Sequence, residues 1–367
     1  MTRRVTSDNF SSSYAQARSR FLEAAAKAGI AVDSKIHPEL GRDGEELAMD
    51  IAFDGSPDAK GLLIVSSGCH GVEGFCGSGV QVAALHDDEW RRYARGHGVA
   101  VMYIHALNPH GFSYIRRTTH ENIDLNRNFH DFSIPLPVNN AYRDLAPLLL
   151  PEEWPPGEAN GAAVMAYAQQ HGMDVYQAAI TRGQHEFADG LFFGGTQPSW
   201  SNTALREILR KHGRNAARLG WIDLHTGLGP SGVGERIFAG RDDAATLTRA
   251  RNWWGGNGKT PVTSIYDGSS TSAFLTGLMW ESVYDECPQA EYTSIALEYG
   301  TVPVNETLDA LRADQWLQLH PQAPAAKARQ IKQQMLETFF TDTDEWKSQI
   351  LLQAREAMFQ AVDGLAA

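Results

Sequence analysis

Several short blocks of this 367-residue chain carry side-chain types that could do hydrolytic chemistry. His70 and Glu73 stand three apart in Cys69-His70-Gly71-Val72-Glu73-Gly74, which at the opening of a helix puts an imidazole and a carboxylate on one side of the turn. Both are ligand types for zinc, and the flanking glycines allow close backbone approach. A capping Glu beside a surface His has the same spacing, so the pair alone decides nothing. His225, in Asp223-Leu224-His225-Thr226, offers a third ligand from a distant strand. Catalytic zinc commonly takes three protein ligands and keeps a water in the fourth position. Glu298 ends the apolar run Ile295-Ala296-Leu297, where an unpaired carboxylate is expensive to bury. It is either an edge residue reaching water or a general base whose pKa is set by a nearby metal. Asp124 could accept a hydrogen bond from the free ring nitrogen of His70 and hold its tautomer. Arg117, Asn126 and Arg127 form a cationic, amide-bearing loop. Such a loop is either solvated, with surface ion pairs, or built to grip a carboxylate by paired hydrogen bonds.

These residues fall just past the ends of four short apolar runs, Leu62–Val65, Val99–Ile104, Trp221–Leu224 and Ser294–Leu297. Each run is nearly continuous rather than alternating, which suits parallel strands covered on both faces. The segment 47–53 alternates well enough for a further strand, and Asp54-Gly55-Ser56-Pro57 reads as a turn. Helical patterns lie at 21–28, 80–93 and 203–211, the last with Asn202 as a plausible N-cap. Alternating strands and helices argue for one α/β sandwich, whose ligands bind in the crevice beyond the strand ends. Residues 133–200 form a long, proline-bearing excursion with a helix-like stretch at 162–170 and the loop Phe192-Phe193-Gly194-Gly195. A helical pair at 326–365 ends the chain, its Met335, Phe339 and Phe340 expected to cover the sheet.

Composition narrows the partners. A net charge of -12 argues against nucleic acid and against an anionic membrane surface. No stretch approaches the ~18 apolar residues of a membrane span. Arg3 and Arg4 make a basic start, but no apolar core follows, so no secretory signal is expected in this sequence. Cys69, Cys76 and Cys287 are too few for a disulfide framework, and a cytoplasmic location fits them.

Taken in order, His70-x-x-Glu73, Asn108-Pro109-His110-Gly111, Asp124-Leu125-Asn126-Arg127-Asn128-Phe129, His225 and Glu298 resemble the zinc carboxypeptidase superfamily. That superfamily includes carboxypeptidases A and B and, more distantly, the succinylglutamate desuccinylase and aspartoacylase deacylases. The resemblance covers roughly residues 45 to 302 and is nearest to a bacterial branch of uncharacterised peptidase-like proteins. It implies a three-layer α/β sandwich around a mixed, largely parallel sheet, carboxypeptidase-like (phosphorylase/hydrolase-like), as a single domain. It implies zinc on His70, Glu73 and His225, Glu298 as general base, and Asn126 with Arg127 on the substrate's terminal carboxylate. An upstream Arg polarises the scissile carbonyl in the family; Arg117 takes that place here, with Arg116 in reserve.

Two blocks pull in different directions. Asp223-Leu224-His225-Thr226 leans toward the deacylases, and Asn126-Arg127-Asn128-Phe129 toward the peptidases. Tyr266 and Tyr284 are equal candidates for the family's mobile tyrosine. The favoured expectation is a carboxypeptidase-like peptidase acting on small peptides. The others are a deacylase of N-acyl amino acids and a non-catalytic zinc protein with Cys69 as fourth ligand.

Overall fold

The computed structural model describes residues 8–256 and 260–367; the basic start at Arg3 and Arg4 lies outside the described residues. One mixed sheet holds β1 (Val32–Leu40), β2 (Glu46–Asp54), β3 (Gly61–Ser67), β4 (Val99–His105), β5 (Arg218–Ser231), β6 (Gly234–Phe238), β7 (Val262–Ser264) and β8 (Glu291–Gly300). Their spatial order is β1-β2-β4-β3-β5-β8-β6-β7. The centre, β4-β3-β5-β8, is parallel throughout. Antiparallel pairs join β2 to β4 and β6 to β8 toward the edges.

The four apolar runs are these central strands, and β3 and β4 are buried along their whole length. Their side chains alternate between two cores, as the period of a strand requires. Leu63 and Val65 of β3 pack in one layer with helices Tyr14–Lys27, Gly74–His86 and Asp344–Ala366. Leu62 and Ile64 pack in the other with Leu205 and Ile208 of the Trp200–His212 helix. That is a three-layer α/β sandwich. Each such Leu or Ile removed from water contributes roughly 1.5–3 kcal/mol.

Several elements differ from the sequence reading. β1 is largely polar and pairs only at the sheet edge, while β7 has three residues, so neither leaves an apolar signature. The pattern at 80–93 is two helices, because Asp87 leaves the helical region and accepts a hydrogen bond from Trp90 N–H to cap the second. Ser199, not Asn202, caps the Trp200–His212 helix. Asn202 is spent elsewhere, its amide donating to Asn128 O at 2.8 Å. The excursion is largely helical, with Asn140–Leu149, Glu158–His171 and Met173–Thr181. Pro147 is accommodated inside the first of these, and Pro151, Pro155 and Pro156 fall in the connection after it. The closing pair is Ala325–Phe339 and Asp344–Ala366, with Met335, Phe339 and Phe340 buried.

Gly71 is the tightest point between the first metal-type block and the loop after β4. A Cβ there would overlap the backbone of Gly111 and Phe112. Gly71→Ala is therefore expected to cost about 1–3 kcal/mol by overpacking. Thermal unfolding checks this, and an unchanged midpoint would refute the close approach.

Candidate metal centre and active site

The site is assembled from strand ends. After β3 the chain turns at Gly68, whose φ of 64° is open to glycine, and reaches His70 before the 3-10 turn Gly71–Glu73. Gly71 N–H and Val72 N–H donate to Arg117 O at 3.1 Å and Arg116 O at 2.8 Å, stitching this turn to the loop beyond β4. On the other side, the parallel register of β5 and β8 sets His225 directly beside Glu298. Residues more than two hundred apart in sequence thereby share one rim.

Glu73 spans the two imidazoles. Its Oε1 lies 2.8 Å from His70 Nδ1, and its Oε2 lies 2.9 Å from His225 Nδ1. Thr226 N–H donates to the same Oε2 at 3.1 Å. Ligand atoms of His70, Glu73 and His225 lie within 4.8 Å of one another, all buried. The outer nitrogens are also engaged. His70 Nε2 faces Asp124 Oδ1 at 3.4 Å, and His225 Nε2 abuts Asp223. Asp223 is in turn held by Ser66 Oγ–H, and Ser66 accepts from Trp221 Nε1–H at 2.7 Å. Trp221, Asp223 and His225 are spaced by two along β5, so they share one face. That spacing was visible in the sequence, although no role was read from Asp223.

The donor set fits a divalent cation. Two imidazoles and a carboxylate are the composition of a three-ligand open site. Asp124 and Asp223 stand beside the outer nitrogens of the two imidazoles, where a hydrogen bond from each ring N–H would fix its tautomer once the inner nitrogens ligate a metal. The local charge points the same way, with Glu73, Asp124, Asp223 and Glu298 buried around Arg117 and Arg127. Burial pulls His225 toward neutrality, yet Asp223 and Glu73 outweigh it and hold the imidazole charged well above its usual range. Burial likewise opposes the Glu73 charge, but His70 and His225 keep it ionised. Cys69 forms a second donor group with Asp223 and His225. Burial and the surrounding carboxylates push its thiol up, and it does not line the cavity that His70, Glu73 and His225 face.

Glu298 lines that cavity and accepts from Leu228 N–H at 3.1 Å. Burial, with repulsion from Glu73, pushes its carboxyl up to about 8. A cation on Glu73 would act in the opposite sense.

Arg117 bonds through Nε to Asp124 Oδ2 at 2.9 Å and sits 3.6 Å from Glu73 Oε1. Its Nη2 also approaches His70 Nε2 at 2.7 Å. That contact needs a lone pair on Nε2. Metal ligation through Nδ1 instead places a proton there, directed at Asp124. The two states therefore use Arg117 Nη2 differently. Arg116 is bound to Asp314, Asn122 and Gln315 and is absent from the cavity wall.

Arg127 donates from Nε and Nη2 to Thr181 O and from Nη1 to Asn126 O. Among the described residues it has no carboxylate partner within ion-pair distance. Burial lowers its pKa to about 10. Phe192, at φ 52°, lies beneath both guanidinium groups, 5.0 Å from Arg117 and 5.8 Å from Arg127. Asn126 Oδ1 accepts from Met279 N–H at 3.0 Å. Tyr266 donates to Gly240 O and Tyr284 accepts from Arg241 N–H, and neither lines the cavity. Thr181, Leu228 and Phe192 carry no chemical signature in sequence, since two of them act through backbone atoms.

If the three donors hold the metal, His225→Ala is expected to lose most of it. Asp223→Asn is expected to weaken it roughly 10–100-fold, by loosening the imidazole. Metal content and chelator competition on purified protein measure both. Full retention of tightly bound zinc in His225→Ala would sink the three-ligand assignment.

Among solved structures, bovine thrombin-activatable fibrinolysis inhibitor in complex with tick carboxypeptidase inhibitor superposes with a TM-score of 0.54 at 12% identity, covering 97% of each chain. A metallo-carboxypeptidase from Burkholderia cenocepacia matches at TM-score 0.45 and 11% identity, covering 94% of this chain and 68% of that one. Murein-tripeptide amidase MpaA from Escherichia coli O157 matches at 0.35 and 14%, covering 82% and 92%. The first of these carries the likeness of fold, which is the carboxypeptidase-like sandwich expected from the sequence. No curated protein matches the chain. Residues 10–353 match one family along nearly their whole extent, and the chain belongs to it: the family described as protein of unknown function DUF2817.

Proposed function

We propose that the protein is a zinc-dependent hydrolase cleaving an amide bond next to a free carboxylate, in the manner of a metallocarboxypeptidase. The supporting observation is Arg127, a buried guanidinium with no ion-pair partner among the described residues. It shares one cavity with the His70–Glu73–His225 donors and Glu298. A buried unpaired cation is costly, and a substrate carboxylate would satisfy it. Three of the five guanidinium N–H groups meet carbonyl oxygens, which leaves two for a ligand.

On this reading, His70, Glu73 and His225 would hold zinc, which would supply Lewis acidity for the carbonyl and would acidify an attacking water. Glu298 accepts the proton of that water as the C–O bond forms. It then passes the proton to the nitrogen as the C–N bond breaks, releasing an amine and an acid. Arg117 Nη2, displaced from His70 Nε2 once that nitrogen is protonated, faces the oxygen that gains charge. Arg127 and Asn126 fix the carboxylate and so position the bond. Asp124 holds His70, and Asp223 holds His225. A C-terminal peptide bond is the favoured target. The block Asp223-Leu224-His225-Thr226 supports N-acyl amino acids as the second, and parallel peptide and N-acyl amino-acid panels separate the two.

Glu298→Gln keeps the shape and hydrogen-bonding atoms but cannot take the proton. It is expected to retain metal and the wild-type melting temperature while losing about 10²–10⁴-fold in turnover. A fully active Glu298→Gln enzyme would overturn the mechanism. Amidating the substrate's carboxylate is expected to cost roughly tenfold to a hundredfold in kcat/KM, since charge-assisted hydrogen bonds contribute ~1.5–3 kcal/mol. Arg127→Ala should then scarcely distinguish the two forms. Indifference of the wild type to amidation would remove the carboxylate role.

A further inference from the structure

Resting on that amide-hydrolase reading, and taking its second, N-acyl amino-acid branch, we infer that the group on the acyl side of the scissile bond is a long aliphatic chain seated against the helices of the 133–200 excursion. The cavity that holds the donors encloses about 440 Å³, within the ~300–1,000 Å³ of small-molecule sites. Two of the excursion's helices face it with the spacing of a single helical stripe. Gly161, Val164, Met165 and Ala168 line it from the Glu158–His171 helix. Met173, Tyr176, Gln177 and Ile180 line it from Met173–Thr181, at the same intervals of three, one and three. An i, i+3, i+4, i+7 stripe is what a helix normally turns toward a protein core. Here the Glu158–His171 helix has only Ala168 buried; Ala168 and Val164 reach the core, while Met165 of the same stripe stays exposed on the cavity. Leu308 and Leu311 of the Val304–Leu319 helix continue this wall.

Beside the exposed Asn305 and Asp309, the mouth carries apolar side chains. Met165, Met173 and Val304 line the cavity while remaining 52%, 60% and 48% exposed. Single exposed apolar residues are ordinary, but three on the wall of one cavity mark a surface meant to be covered. Methionine, unbranched and polarizable, adapts to an aliphatic chain. The one charged pair on this flank, Asp309 and Arg312, is self-contained at 3.1 Å. The Arg312 guanidinium also donates to Leu149 O and Leu148 O. Among the described residues no cation is left over here for a headgroup.

The side of the bond follows by elimination. The carboxylate-binding pair stands where two walls meet: Arg127 is bonded to Thr181 O at the end of the Met173–Thr181 helix, and Asn126 to Met279 N–H, with Trp280, Leu275, Ile265 and Ile237 on the second wall. The residue bearing the free carboxylate occupies it. The excursion wall is what remains for the acyl group.

A series of N-acyl amino acids with one leaving residue, from acetyl to myristoyl, tests this with the zinc-loaded enzyme. The kcat/KM is expected to rise roughly threefold to fourfold per buried methylene until the wall is covered. Gly161→Phe should fold, because a Cβ at Gly161 meets nothing within 4 Å. It is expected to lower the long-to-short ratio of kcat/KM by at least about tenfold, and Met165→Glu should act in the same direction. A dansylated fatty acid should bind the wild type and be displaced by N-lauroyl but not N-acetyl amino acid, a readout independent of turnover. Hydrolysis with no dependence on chain length, or no binding of the dansylated probe, would overturn the inference and leave the amide-hydrolase reading standing. Failure to hydrolyse any acyl amino acid or peptide would overturn that reading and this inference with it.

Discussion

The Glu73 carboxylate, held between His70 Nδ1 at 2.8 Å and His225 Nδ1 at 2.9 Å, ties the turn after β3 to the middle of β5. It also receives Thr226 N–H, so three partners from one turn and one strand converge on a single buried side chain. A carboxylate in that position is unfavourable unless every lone pair is used, and here burial is offset by two imidazoles and a peptide N–H. Removing either imidazole would strand the charge, which is how a metal-type site and a stable strand junction come to depend on the same contacts.

Around that junction the charges are unequal by design of the fold. Glu73, Asp124, Asp223 and Glu298 all sit within the buried rim, and the balancing guanidinium groups come from one loop. Arg117 is absorbed by Asp124 and Glu73, whereas Arg127 meets only carbonyl oxygens. The first arrangement supports the imidazoles. Among the described residues, the second leaves a guanidinium without an ion pair on the cavity wall, ten residues further along the same chain. Phe192 lies beneath both groups and offers each a ring face without neutralising either.

The excursion between β4 and β5 does two jobs at once. The carbonyl of Thr181, at the end of one of its helices, orients Arg127. The apolar stripes of the same helices roof the cavity. The proposed carboxylate-binding group and the proposed acyl wall are therefore mechanically linked. A change that shifts the Met173–Thr181 helix would alter both.

Sequence alone determined the parts with a local or periodic signature. Continuous apolar runs marked the central strands, because strands covered on both faces need no polar side. His70, Glu73, His225 and Glu298 were identifiable because each follows or ends such a run, where open α/β sheets place their chemistry. Asp124, Asn126 and Arg127 were found as one motif. The tertiary structure decided what depends on partners distant in the chain. It separated Arg117 from Arg116, since only packing against Asp314 and Gln315 takes Arg116 out of the cavity. It supplied Thr181 and Leu228, which act through backbone atoms that no residue type announces. The edge strands β1 and β7 were invisible for a related reason: their stability comes from pairing with a neighbour already in place, and little in their own composition requires it.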